Sequence, residues 1–431
     1  MTRDADDYDD PCQYINIRLK DDKDNKLKDL FEKGLNALLA DEYFLLLYVP
    51  ENGAKMQIVQ PATDSYHRKR MIKRINEATR IPSFYYALSH LWGITEDNRH
   101  MWEEISEYVD DINGQPVDPV SMRDEKRGPL LAMLRDHPDS YWWIDVLCAR
   151  TDTPLDIMGD IYACCLECIA MIDCEPGLIP KLYTKQRVKE DIVELWTRDQ
   201  TREEMSYFKQ LYEEYPLLLD HLFEFSQSKW WQRVWTWQEM ALPLGEVRFI
   251  AETGTQALEG NTITMDGLLN SVMNASCIIY YIANEFDSAP IEEEKEQRLL
   301  EWIAEITQTR SFSKRRFEKS AQTFLQLFVA LETSSRRCMD PVDYVYGLLG
   351  MFQIKIPRLS DPNEVWQTFL SELDDYMEDM KNEQVLSEDN NKGKLVGIND
   401  DAKQVDLRKA RNMADVYKDI IYLEMIDDDE E

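Results

Sequence analysis

Four tryptophans, an arginine and a glutamate crowd into Ser228–Leu242, SKWWQRVWTWQEMAL, and no other stretch limits the fold as strongly. On a 3.6-residue period Trp231, Trp235 and Glu239 form one stripe, and Trp230, Val234, Trp237 and Ala241 an adjacent one. Ser228 is a good N-cap, so the spacing predicts a single helix of about four turns. A helix apolar around most of its circumference must be packed on several sides, which makes it central. Glu239 then ends its stripe in or near a packed interior, where a carboxylate is costly unless paired, hydrogen-bonded or protonated. Two readings stand side by side. In one, Glu239 lies at the rim or is held by a backbone donor or an arginine, and the tryptophans are only core. In the other, Glu239 serves a site. Arg233 is six positions away, on a different face of that helix, so it is no local partner.

At 431 residues the chain can bury a large core and is expected to form two to three structural units. Its net charge of -33, from 82 acidic and 49 basic residues, argues against duplex nucleic acid and anionic membranes as partners, since both require a basic face. The opening MTRDADDYDDP lacks a secretory pattern, and no segment reaches the roughly 18 apolar residues that span a bilayer. A cytoplasmic protein is the expectation. Eight unevenly placed cysteines do not resemble a disulfide framework. Cys165 and Cys168 form a CxxC with Cys164 and Cys174 close by, but no histidine and no second CxxC accompany them. They read as core residues, with no metal.

In chain order, residues 1–11 are acidic and expected to be disordered. A strand at Tyr14–Leu19, a helix at Leu27–Leu39 and a strand within Tyr43–Val49 follow. The basic stretch His67–Arg80 reads as a solvated helix face that an acidic segment of the same chain would match. Tyr85–Ser89 reads as a strand, and Ser89–Gly93 as the turn leaving it. A helix at Arg127–His137 leads to YWWIDVLC at Tyr141–Cys148, an apolar run that fits a buried parallel strand with Asp145 inside it. Strand, crossover and strand make a parallel α/β unit, whose ligand sites form at the carboxyl ends of the strands. Leu155–Met171 reads as a helix, Glu175–Gln227 as a polar and mostly helical insertion, and Gly245–Ala251 as a strand. Helices follow, including an exposed one at 291–304, one starting at Asp340 and Pro341, and one within Pro362–Met380. Residues 384–431 read as a mostly disordered acidic tail with a short helix in Ala410–Met425.

Three stretches, in order, resemble the heterokaryon incompatibility (HET) domain of filamentous fungi. YYALSHLWG at Tyr85–Gly93 is similar to the family's ALSYxWG, YWWIDVLC to YLWIDxLC, and WWQRVWTWQEMAL at Trp230–Leu242 to WFxRxWTxQExxL. DPVDYVYGLLG at Asp340–Gly350 resembles the DPRDxxYxLLG that often follows the domain. The resemblance covers roughly Ser83 to Glu252 and implies four regions: a variable N-terminal unit (1–80), the HET domain (81–255), a helical extension (256–383) and the acidic tail (384–431). One departure stands out: Ala149, Arg150 and Thr151 replace the usual INQ after Cys148, and Leu155 and Asp156 replace the glutamate and glutamine beyond.

HET domains in turn resemble Toll/interleukin-receptor (TIR) domains, which implies a flavodoxin-like parallel sheet flanked by helices. Some TIR domains cleave NAD, and by that analogy Glu239 would be the catalytic carboxylate. NAD would then be a substrate, with no cofactor. Trp92 would stack on a base, Ser89 would bind ribose or phosphate, Arg233 would meet a phosphate or order a loop, and Trp235 would complete the substrate site. Structural turn roles fit Ser89 and Trp92 equally well, and Asp145 reads more as a structural polar group near the switch point than as a catalyst. The competing reading is a self/non-self recognition and death-signalling module that assembles with itself or with another incompatibility protein. Other enzyme classes lack their motifs: there is no GxxxxGK[ST], GxGxxG after a strand, GxSxG or HExxH. His67, His90, His100, His137 and His221 show neither metal nor triad spacing.

Overall fold

The two apolar runs Tyr85–His90 and Ser140–Ile144 lie side by side in parallel, with Tyr85 opposite Tyr141 and Leu88 opposite Ile144. Parallel neighbours cannot be joined by a tight turn, and the crossover between these two contains the helix Asp124–Arg135. The structure, a computed structural model, describes residues 13–19, 22, 25–93, 99–185, 200–253, 261–285, 293–315, 321–386 and 394–424. The acidic start 1–11 and part of the insertion, 186–199, lie outside the described residues.

The chain is mixed α/β, with a central sheet, flanking helices and a helical C-terminal region. It divides into two units, residues 1–169 with 243–247, and residues 170–242 with 248–431.

In the first unit the strands are β1 (Leu46–Val49), β2 (Met56–Val59), β3 (Tyr85–His90), β4 (Met101–Trp102), β5 (Val109–Asp110), β6 (Val120–Ser121), β7 (Ser140–Ile144) and the first half of β8 (Glu167–Ile172). The sheet order here is β8-β3-β7-β1-β2-β5, with β4 and β6 paired apart from it. The sheet is mixed, where an all-parallel one was expected: β1 runs antiparallel to both β7 and β2. The β1–β2 pair follows from the short connection between them, where Gly53 adopts φ 68° and the Asn52 side chain accepts the Ala54 N–H. Such a turn can only return the chain as a hairpin.

Two further elements also differ from the sequence reading. No strand forms at Tyr14–Leu19, although Ile17 is buried. Leu155–Met171 is not one helix but a helix, Ile157–Ala163, followed by β8. Periodicity cannot tell a buried strand such as ECIAMI from a buried helix. Cys148, Cys164, Cys165 and Cys168 are all buried.

In the second unit, β9 (Glu246–Ala251) pairs antiparallel with β10 (Thr262–Thr264). The helices Arg202–Glu214, Leu218–Ser226, Met265–Glu285, Glu293–Arg315, Ala321–Thr333 and Pro362–Leu386 build most of the rest. The helix at 293–315 is not simply exposed, because Leu299, Trp302, Ile303 and Ile306 are buried. The tail departs from expectation as well. Lys394–Ile398 and Ile421–Glu424 form an antiparallel pair, β11 and β12, while the short helix expected within Ala410–Met425 is present as Met413–Tyr417. Its apolar residues explain this: Leu407, Met413, Val416, Tyr417 and Ile420 are buried, and the Tyr417 hydroxyl donates to the Tyr344 carbonyl at 2.8 Å. Residues 425–431 lie outside the described residues. Among the described residues, no helix is long and apolar enough to cross a membrane.

Candidate functional site

At the carboxyl ends of β3 and β7 a chain of polar groups closes on itself. Asp145 is not inside a strand, as the apolar run suggested, but opens the helical turn Asp145–Cys148 directly after β7. Its carboxylate accepts the Val146 N–H at 2.7 Å, and its carbonyl accepts the Ala149 N–H at 2.8 Å, which turns the chain out of the sheet. The same carboxylate accepts the His90 Nε2–H at 2.9 Å on one oxygen and the Trp92 indole N–H on the other. Behind His90 stands Lys126, fully buried, whose Nζ lies 3.4 Å from His90 Nδ1 and donates to the Leu91 carbonyl.

Burial is the largest influence on His90 and lowers its pKa below the ordinary 6.5; Asp145 opposes this and Lys126 adds to it. The ring is therefore neutral at pH 7. Its Nε2 faces the Asp145 carboxylate, and its Nδ1 lies 3.0 Å from the Leu91 carbonyl and 3.4 Å from Lys126 Nζ. Burial alone would raise the Asp145 pKa, but His90, Trp92 and the Val146 N–H together hold it below the usual carboxylate value. The group is a structural anion with both oxygens in use.

Trp92 is 40 % exposed as a residue, while its N–H is held by Asp145. Gly93 next to it is pinned by backbone bonds to and around His100, and a Cβ there would meet the His100 carbonyl and the Met122 nitrogen at 2.6 Å. Ser89 lies within β3, which runs one residue further than expected, and has no exposed surface. The sequence reading passed over His90 and Lys126. A lone histidine in an apolar strand and a lysine in the first turn of a helix carry no signal that would link them.

In the second unit the tryptophan-rich stretch is not a single helix. A 3₁₀ turn, Lys229–Gln232, is followed by extended Arg233 (φ -91°, ψ 140°) and then by a short helix, Thr236–Ala241. The backbone is diverted because it pairs with a distant segment: the Val234 N–H donates to the Arg337 carbonyl at 3.1 Å, and the Arg337 N–H to the Gln232 carbonyl at 2.6 Å. Ser228 starts the turn, but its side chain does not cap it. Asp173 does so instead, accepting the Lys229 and Trp230 N–H groups at 3.1 Å each. Trp230 and Trp231 stand edge to face at 4.7 Å, and both pack on Phe249.

Two arginines hold the short helix. Arg336, fully buried, pairs with Glu305 at 2.6 Å and donates to the Arg233 carbonyl and the Thr236 hydroxyl, each at 2.8 Å. Its guanidinium also lies over the rings of Trp231 and Trp237. Arg310 donates to the Ala241 carbonyl at 2.9 Å and so covers the helix's carboxyl end. Asp343 accepts a hydrogen bond from the Trp235 side chain; burial pushes its carboxyl up to about 6, with Asp340 adding and Trp235, Arg233 and Arg358 opposing.

Glu239 is inside, 8 % exposed, on the short helix. Its neighbour Gln238 is 1 % exposed, and neither atom of its amide meets a hydrogen-bond partner among the described residues. Of the expected site residues, Ser89, Trp92 and Asp145 stand in the first unit, and Arg233, Trp235 and Glu239 in the second. Among the described residues, no group of three or more histidine, cysteine and acidic side chains is placed to hold a metal.

A family model described as "Heterokaryon incompatibility protein (HET)" matches residues 85–239. No curated protein and no solved structure matches the chain. The matched stretch starts at the first residue of β3 and ends on Glu239, so it takes in YYALSHLWG and YWWIDVLC whole and the tryptophan-rich stretch as far as Glu239. Over residues 85–239 the chain is similar to the HET family, and that similarity points to a heterokaryon-incompatibility-type role.

Proposed function

We propose that the chain is a module for intracellular self/non-self recognition and programmed cell-death signalling, which acts by assembling with copies of itself or with another incompatibility protein. The observation that carries this reading is how fully its signature residues are occupied by structure. Trp230, Trp237 and Val234 are core, Thr236 is bonded to Trp230 and Arg233 carbonyls, and both Asp145 oxygens are taken. Residues so engaged hold a scaffold. Expression of the wild type and of Glu239→Gln in a fungal host tests it. The module reading expects both to cause death at equal protein levels; death lost in a Glu239→Gln variant that remains folded would count against it.

A second reading is favoured by one observation, the buried Glu239 beside an amide with unmet hydrogen-bonding groups. It is TIR-like NAD glycohydrolysis. The bond from ribose C1′ to the nicotinamide nitrogen breaks, its electron pair leaves with neutral nicotinamide, and the oxocarbenium charge left on the ribose is stabilised by the Glu239 carboxylate. Water then adds to C1′ and gives up a proton. Kinship of the sheet with TIR domains belongs to this second reading.

A further inference from the structure

We propose that the acidic start of the chain, residues 4–10 (DADDYDD), docks within the same copy on the basic face of the helix Ser65–Glu77. The proposal goes beyond the assembly role and asks nothing of Glu239. That helix keeps one side in the core, where His67, Met71, Ile72 and Ile75 are buried. On a 3.6-residue period Tyr66, Lys69, Arg70 and Lys73 share the opposite side. Tyr66 is 65 % exposed, and the Arg70 guanidinium lies 5.6 Å from the centre of its ring. Charge on this face is not balanced by its own neighbours. Arg70 and Arg74 share one carboxylate, Asp139, and two guanidinium groups on one carboxylate leave positive charge over. Lys73 meets Glu77 at 3.8 Å with side chains 61 % and 66 % exposed, a pairing worth little in water. Arg68 donates to a neutral acceptor, the Leu39 carbonyl, and Arg80 stands exposed just beyond the helix. In a chain with net charge -33, such a face draws carboxylates.

The anchoring of the chain selects which carboxylates arrive. Asn76, in the last turn of the same helix, accepts the Asn16 N–H at 2.7 Å and donates to the Tyr14 carbonyl at 2.9 Å. Ile17 is 2 % exposed, and its N–H donates to Glu32 at 3.1 Å. The chain that precedes Tyr14 therefore starts from beside the basic helix. Ten residues back from Tyr14 to Asp4 reach at most about 33 Å when extended, whereas a helix of 13 residues is about 20 Å long. Reach is ample, and a tether this short holds its segment at about millimolar effective concentration. The chemistry matches as well as the charge. Tyr8 sits between two pairs of aspartates, so a ring flanked by carboxylates meets a surface that offers a ring flanked by cations. While docked, the segment covers the face that an acidic partner would otherwise need.

The test uses the full chain in two measurements. A carbodiimide condenses an aspartate carboxyl with a lysine ammonium into an amide, with loss of water and no spacer. At low salt it should link residues 4–10 to Lys69 or Lys73, and raising the salt to about 0.5 M should lower the yield roughly 3-fold or more. Mixing nitrogen-15-labelled with unlabelled chain shows where each link lies; the proposal expects links within one copy. In the second measurement a fluorescent peptide of residues 1–11 is titrated into wild type and into full chain carrying Asp4→Asn, Asp6→Asn, Asp7→Asn, Asp9→Asn and Asp10→Asn. The peptide should bind the substituted chain roughly 10-fold tighter, because the wild-type segment already occupies the face. Links chiefly to other lysines, links chiefly between labelled and unlabelled copies, a yield indifferent to salt, or equal peptide binding to the two chains overturns the proposal. Neither measurement involves Glu239 or NAD, so loss of the hydrolase reading leaves the result intact.

Discussion

Two carboxyls show how the same burial leads to opposite behaviour. Asp145, held below the ordinary carboxylate pKa by His90, Trp92 and a backbone N–H, stabilises the fold at neutral pH, and that contribution is lost as pH falls through its folded pKa. His90, lowered by burial, acts in the same direction, because the unfolded chain gains a proton below about 6.5 while the folded one resists it. Asp343 runs the other way. Raised to about 6, it binds its proton more tightly when folded, so its contribution declines as pH rises from the unfolded carboxylate value through 6. Asp343→Asn keeps an acceptor for Trp235 and should be more stable than wild type by about 1 kcal/mol at pH 7.5, with the gain gone near pH 4. Urea unfolding at the two pH values checks this, and an equal difference at both would speak against it. Gly93→Ala should lose about 1–3 kcal/mol by the same measurement, since its Cβ has only backbone to displace. At this scale the sequence named candidate residues without showing what they touch. Asp145 and Trp92 were singled out separately, but their bond depends on a helical turn that begins at Asp145, inside the run read as a strand to Cys148.

Among the elements, strands with simple patterns were legible and the tryptophan-rich stretch was only half so. Its burial followed from composition, but its break at Arg233 did not. That break is set by pairing with Arg337, more than a hundred residues away, and no local period encodes it. The same long-range pairing explains why DPVDYVYGLLG accompanies the earlier motif. Trp235 bonds to Asp343, and a Cβ on Gly347 would come within 2.5 Å of Val234 Cγ1, so the two stretches are parts of one core. Arg336 and Glu305 lie at its centre. Removing one partner strands the other's charge, so Arg336→Leu should cost about 3–5 kcal/mol, whereas Arg336→Leu with Glu305→Leu should recover most of it. A double-mutant cycle by urea unfolding measures this; two additive losses would mean the pair is not the contact described here. β8 shows the limit in the opposite sense: its apolar run was visible and its type was not.

For the whole molecule, charge and the acidic tail are the features composition describes least well. Mean composition suggested disorder beyond residue 384, yet residues 394–424 carry a few well-spaced apolar side chains that bury against the Tyr344 region. Net charge averages over such positions and cannot detect them. The same charge bears on assembly, since copies at -33 repel each other. Light scattering should show the full chain's mass rising more with concentration at 0.5 M salt than at 0.02 M, where screening is weak; a mass that stays at one copy under both conditions would leave only partner binding. What separates the module from an NAD hydrolase most directly is nicotinamide release by concentrated full chain in millimolar NAD, measured for wild type and Glu239→Gln. The account predicts no release above a protein-free blank from either; release by wild type that the substitution abolishes would contradict it.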